Sequence, residues 1–390
     1  MIRLTFVWLV FAISSLAQPL VVVAIDGLRY DFIEVHKMQT LARLRVQGAT
    51  VERMKPSFPS TTFPNFHTMA TGLEPSRHGL VGMAFYDRAR KERFYYQTNS
   101  TDGSWYGGEP FWETAERAGK TVATFFWPGT DAGVNGKWPT YFRRYDWRVR
   151  HDEKVQQVAD WLALPASRRP DAIVVYLSDI DSACHRTGPL TPETYEAAQR
   201  VDTSVARISE LVVKTGATLL IVSDHGQSAV EGHLDLTPLA DFRGCIAANE
   251  APTTNLYCDD PERVYAELKP KEKGWHVYRR NETPAHLKYR DNPRIGDLVI
   301  LPDRPLIVQV LPQGDGSTAV PHLKGMHGYD PVVNTEMDAL LIGVGGPFKT
   351  GARVAAARNV DVAPLILHLL GVAAPKGIDG DFTRVRGLLK

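Results

Sequence analysis

Leu20-Val21-Val22-Val23-Ala24-Ile25-Asp26-Gly27 decides the fold. Six consecutive apolar residues, mostly β-branched, describe a strand buried on both faces, as in a parallel sheet covered by helices. The carboxylate at its C-terminal end sits where such sheets bind ligands. Working outward, Thr121–Phe126, Ala172–Leu177, Thr218–Val222 and Ala339–Gly343 have the same character and read as buried parallel strands. Helical patterns lie between them. Pro110 suits the first turn of a helix that continues through Ala118 and ends at Gly119. A second runs from about Pro192 to Lys214, with Val201, Val205, Ile208 and Leu211 at helical spacing. Strands alternating with helices predict an α/β fold, a doubly wound, mostly parallel sheet sandwiched by helices.

Residues 245–322 break this rhythm with scattered prolines, a Lys-rich turn at Lys269–Lys273 and a strand-like run at Leu298–Leu301. They are expected to form a small α+β insertion capping the site. Cys245 and Cys258 are close enough in sequence to pair, with free buried thiols as the alternative; Cys184 is left single.

A chain of 390 residues suits one large domain, or one domain carrying an insertion. Apolar residues at 44% and charged residues at 23% allow an ordinary soluble core. A net charge of +1, with the basic residues dispersed, gives no nucleic-acid or membrane-surface patch, so no polymeric nucleic-acid partner is expected. Arg3, the mostly apolar run Leu4–Ile13 and Ser14-Ser15-Leu16-Ala17 read as a signal peptide over residues 1–17, cleaved before Gln18. The run is shorter than the roughly 20 residues of a membrane span. A secreted or periplasmic catalytic domain over residues 18–390 follows, in a compartment that permits disulfides.

Seven side chains from five places can be assembled around metal. Asp26 ends the first strand, and Thr62 opens a helix with Pro64 just inside it. Asp181 and His185 follow the third strand as Asp-x-x-x-His. Asp224 and His225 follow the fourth, and His327 lies in Gly325-Met326-His327-Gly328-Tyr329-Asp330. Mixed carboxylate and imidazole ligands suit Zn²⁺. Singly, each has a plain structural role, an Asp after a strand often being a helix cap. Together, five strand ends and loops point to two ions that clamp a phosphoryl transfer.

The run Phe58-Pro59-Ser60-Thr61-Thr62-Phe63-Pro64-Asn65, then Thr71-Gly72-Leu73 and His78-Gly79, resembles the nucleotide pyrophosphatase/phosphodiesterases of the alkaline phosphatase superfamily. So do Gly108-Glu109-Pro110-Phe111-Trp112 and Phe125-Phe126-Trp127-Pro128-Gly129. The resemblance implies an alkaline phosphatase-like fold and two zinc ions per chain. Asp181, His185 and His327 would hold one, and Asp26, Asp224 and His225 the other, which also touches the nucleophile Thr62. It implies zinc-dependent hydrolysis of nucleotide phosphodiester and pyrophosphate bonds through a phosphothreonine, releasing nucleoside 5′-monophosphate. The positions matching Phe63, Phe126, Tyr145 and Tyr176 would form a slot where a nucleobase stacks. Core packing is the other reading of these aromatics, and it is the one preferred for Trp127.

Two positions depart from the family. Met83 stands where an asparagine usually donates to a phosphoryl oxygen, and methionine cannot donate. Cys184 replaces the usual glycine before His185, as a packed side chain or a stray ligand. Met83 leaves open a weakly catalytic nucleotide-binding relative. A phosphodiesterase of choline phospholipids also stays open, although no cage for a quaternary ammonium is identifiable.

Overall fold

The computed structural model describes residues 18–390, and the leader expected over residues 1–17 lies outside them. Leu20–Ile25 forms β1, buried along its whole length and paired in parallel on both edges. Its side chains alternate between two cores, as a pleated strand requires. Leu20, Val22 and Ala24 pack with Phe66, Trp127 and Leu365 on one face. Val21, Val23 and Ile25 pack with Leu41, Val201 and Val205 on the other. Helices cover both faces, which is the doubly wound arrangement expected.

The central sheet continues, in chain order, with β2 (Ala49–Lys55), β3 (Val122–Phe125), β4 (Tyr141–Arg143), β5 (Ala172–Leu177), β6 (Thr218–Ser223), β7 (Ala339–Val344) and β8 (Arg353–Arg358). Across the sheet the order is β8-β2-β7-β6-β1-β5-β3-β4. β6, β1, β5 and β3 are parallel neighbours, so their C-terminal ends open side by side on one edge. β7 runs antiparallel to both β6 and β2, which corrects the parallel direction expected for Ala339–Gly343. Its apolar run reports burial on two faces, and burial does not fix direction. The helices expected from Pro110 and Pro192 run over Phe111–Arg117 and Pro192–Thr215.

Between β6 and β7, Cys245–Asn249, Thr254–Cys258, Trp275–Arg279 and Leu298–Pro302 form a separate antiparallel sheet beside the helix Pro261–Leu268. Cys245 and Cys258 face each other across its first hairpin and are disulfide-bonded. This sheet shares a core with the rest of the chain. Phe58 and Leu80 pack with Tyr289 and Val299, and the Tyr289 hydroxyl donates to the Val81 carbonyl at 2.7 Å. Among the described residues no helix is long and apolar enough to cross a membrane.

Candidate active site

A cavity of about 840 Å³ opens at the C-terminal ends of β1, β3 and β5, and Asp26, Thr62, Asp181, His185 and His327 all line it. Asp26 ends β1, and Asp224 and His225 end β6. Gly27 turns the chain after Asp26 at φ +69°; a Cβ there would meet the Asp181 Cβ at 3.0 Å, so glycine lets these loops close up. The Gly27 amide donates to Asp224 Oδ1 at 3.1 Å. Asp181 and His185 lie one turn apart on the helix Asp179–Thr187.

Each imidazole is held the same way. Nδ1 of His185 meets the Gly325 carbonyl at 2.9 Å, that of His225 meets Gly226 at 3.0 Å, and that of His327 meets Ser60 at 3.0 Å. A carbonyl only accepts, so Nδ1 carries the hydrogen, and in the neutral ring Nε2 is the nitrogen with the free lone pair. This is how metal-binding imidazoles are oriented. The Nε2 atoms of His185 and His327 are 3.2 Å apart, and Asp181 Oδ1 lies 3.3 and 3.4 Å from them. His225 Nε2 lies 3.0 Å from Asp224 Oδ2, 3.5 Å from Asp26 Oδ1 and 3.2 Å from the Thr62 hydroxyl. The rings of His225 and His327 stack at 3.7 Å, joining the two groups.

Asp26 Oδ1 and Asp224 Oδ2 are buried without hydrogen-bond partners. Burial, then the charges of Asp224 and Asp181, push the Asp26 carboxyl well above the usual range. Converging buried carboxylates and lone-pair nitrogens need cations among them. The donor set, oxygen and imidazole nitrogen in two groups of three, fits zinc-type ions.

Thr62 begins the helix Thr62–Thr71, its hydroxyl beside His225. Met83 reaches the same point: its Sδ lies 3.3 Å from the Phe63 amide nitrogen and accepts that hydrogen. Cys184 is buried in the core under the site and makes no part of either ligand group. Of the four aromatics, Phe126 and Tyr176 are buried in the central core where it borders the cavity. The Tyr176 hydroxyl donates to Asp26 Oδ2, so it orients a carboxylate. Phe63 is half-buried and Tyr145 exposed, and Tyr145 is held by its amide on Asp131 at 2.9 Å.

Three residues escaped the sequence reading. Gln227 Nε2 donates to Asp181 Oδ1 at 2.5 Å, and its place two residues after His225 was the available signal. Tyr96 lines the cavity 5.8 Å from the Phe63 ring, in a segment without periodic pattern. Glu250, in the insertion, carries no motif; burial pushes its carboxyl up to about 8 despite bonds from Met83 and Thr61.

A family model described as type I phosphodiesterase / nucleotide pyrophosphatase matches residues 20–330. Human ectonucleotide pyrophosphatase/phosphodiesterase family member 1 is 30% identical over 95% of this chain and 42% of its own length. The venom phosphodiesterase of Naja atra is 28% identical over 96% of this chain and 46% of its own. The chain thus spans less than half of these curated relatives. Murine ectonucleotide pyrophosphatase/phosphodiesterase 5 has the same fold, with a TM-score of 0.88 over 96% of this chain and 100% of that one, at 24% identity. An inactive threonine-to-alanine variant of it, in complex with AMP, superposes equally at 23% identity. With the matched segment running from β1 past His327, the chain belongs to the type I phosphodiesterase / nucleotide pyrophosphatase family.

Proposed function

We propose that the chain is an exported hydrolase of nucleotide phosphodiester and pyrophosphate bonds that works through a phosphothreonine at Thr62. The observation that carries this reading is the meeting of three Nε2 lone pairs and three carboxylates around a helix-initial hydroxyl. Asp181, His185 and His327 would hold one zinc ion, and Asp26, Asp224 and His225, with the Thr62 hydroxyl, another. Bound there, the ions would supply Lewis-acid stabilisation of the Thr62 alkoxide and of the leaving oxygen.

The rest falls to the protein. The Thr62 oxygen attacks phosphorus in line; a Thr62–phosphorus bond forms as the bond to the leaving oxygen breaks. Water then cleaves the phosphothreonine, releasing nucleoside 5′-monophosphate and restoring the hydroxyl. Amides of the first helical turn face the phosphoryl group, where the helix dipole favours negative charge. The Phe63 amide reaches a phosphoryl oxygen once that oxygen displaces the Met83 sulfur. Phe63 and Tyr145 stack the base, which gives affinity with little base selectivity.

The test is turnover of a chromogenic nucleoside-5′-phosphate diester against a simple phosphomonoester. The expected results are preference for the diester, a phosphorylated Thr62 trapped at low pH, and no turnover by Thr62→Ala. Full activity in Thr62→Ala would remove the phosphothreonine scheme. Nucleotide binding without turnover by the native chain would leave a binding protein.

A further inference from the structure

Glu250 belongs to neither ligand group, yet it touches the segments that carry them. It follows Asn249, in the turn of the insertion's first hairpin, and its buried carboxyl lies at the wall of the cavity that holds Thr62. Oε1 accepts the Thr61 hydroxyl at 3.0 Å and the Met83 amide at 3.1 Å. Oε2 has no partner, and the carboxyl lies flat on Gly82, where a Cβ would come within 2.0 Å of it. Pro252, two residues on, crowds Gly328: a Cβ there would be 2.6 Å from Pro252 Cδ and 3.0 Å from Thr61 Cγ2. One turn of the insertion is therefore wedged among the start of the Thr62 helix, the Gly82-Met83 loop and the residue after His327.

The hydroxyls before Thr62 behave accordingly. An N-cap side chain ordinarily accepts from the first-turn amides. Thr61 is the N-cap here and makes no such bond; its hydroxyl is turned to Glu250, to which it donates. The Ser60 hydroxyl donates to the Tyr329 carbonyl at 2.8 Å. Thr61 is thus tied to Glu250 and Phe63 to the Met83 sulfur, which brackets Thr62 from both sides in sequence.

We propose that Glu250 is a positioning residue for phosphoryl transfer. By accepting from Thr61 and Met83 at once, it fixes the backbone from which Thr62 attacks and makes the insertion part of the catalytic machinery. This rests on Thr62 being the nucleophile.

The experiment measures steady-state kinetics on the nucleoside-5′-phosphate diester, with bound metal and melting temperature, for four single variants and one double. Glu250→Gln keeps an acceptor oxygen and should retain kcat within about threefold, whereas Glu250→Met should lose about tenfold or more with KM within about twofold and full metal content. Thr61→Val should show the same loss, and the double variant Glu250→Met with Thr61→Val no larger one. Wild-type kcat in Glu250→Met, losses that multiply in the double variant, or a loss that tracks bound metal would each overturn the proposal. If Glu250→Met does not fold, Thr61→Val decides alone, and unchanged kcat there overturns it. Thr62→Ala is measured alongside. Turnover by Thr62→Ala means the nucleophile reading has failed, while a dead Thr62→Ala beside an active Glu250→Met means only the Glu250 assignment has.

Discussion

At the scale of single residues, Met83 is the sharpest departure. Its sulfur sits against the Phe63 amide, at the position where the family resemblance implies an asparagine donor to phosphate. A missing donor in a preorganised anion hole costs roughly 3 kcal/mol, about a hundredfold in rate. Met83→Asn should therefore raise kcat on a nucleoside-5′-phosphate diester by about tenfold or more, with little change in KM, because the bond strengthens as charge develops. Kinetics at saturating zinc give the answer, and a fall in kcat would mean that the hole has been rebuilt around the thioether. The ligands make a second prediction. Removing one member leaves buried carboxylates uncompensated, so His327→Ala and Asp181→Ala should each lose bound metal, and chelation followed by added Zn²⁺ should abolish and restore turnover. Two ions per chain retained in both variants would contradict the assignment.

At the scale of elements, the helix Thr62–Thr71 carries the proposed nucleophile at one end and buried histidine within. His67 Nε2 donates to the Gly107 carbonyl at 2.7 Å and its ring packs on His78. Burial lowers the His67 pKa from 6.5 to about 4, and burial, then His67, lowers His78 as well. A folded-state value below the unfolded one means the folded chain binds fewer protons as pH falls. The stability these rings contribute is present above about pH 6.5 and lost as pH drops toward 4, by as much as about 3 kcal/mol for His67. His67→Gln keeps a donor to Gly107 and cannot titrate. Its denaturation midpoints should fall less steeply than the wild type's between these pH values, and parallel curves would refute the assignment.

The elements also explain what the sequence disclosed. β1, β5 and β6 were legible because burial on both faces leaves unbroken apolar runs, and Asp26 and Asp224 because they end those runs. β2 was not, since Glu52, Arg53 and Lys55 interrupt it, and the direction of β7 depends on pairing that composition does not encode. The greater exposure of Phe63 and Tyr145, against the buried rings of Phe126 and Tyr176, depends on packing rather than on residue type. Glu250 was invisible because its partners Thr61 and Met83 lie 189 and 167 residues away.

At the scale of the molecule, the question is what the insertion does. A lid hinged over the mouth would bury little against the body. Here Phe58, Leu80 and Tyr289 share one core, and the Glu250–Pro252 turn is pressed against Gly82 and Gly328. The Cys245–Cys258 bond clamps the base of that hairpin, and the export proposed for the chain would keep it oxidised. Closing a loop of this length stabilises by about 3 kcal/mol. Replacing both cysteines by serine should lower the melting temperature by several degrees. The proposed ligands come from β1, β6, the helix Asp179–Thr187 and the Gly325-Met326-His327 segment, none of them inside the hairpin, so bound metal should stay at the wild-type level. If the hairpin acts on Thr62 through Glu250, kcat should fall with it while KM stays nearly constant, since Phe63 and Tyr145 lie outside the hairpin. Calorimetry, metal analysis and kinetics on the same preparation separate the cases. A lowered melting temperature with unchanged kcat would make the hairpin scaffolding, and a risen KM with unchanged kcat would return it to the role of a lid.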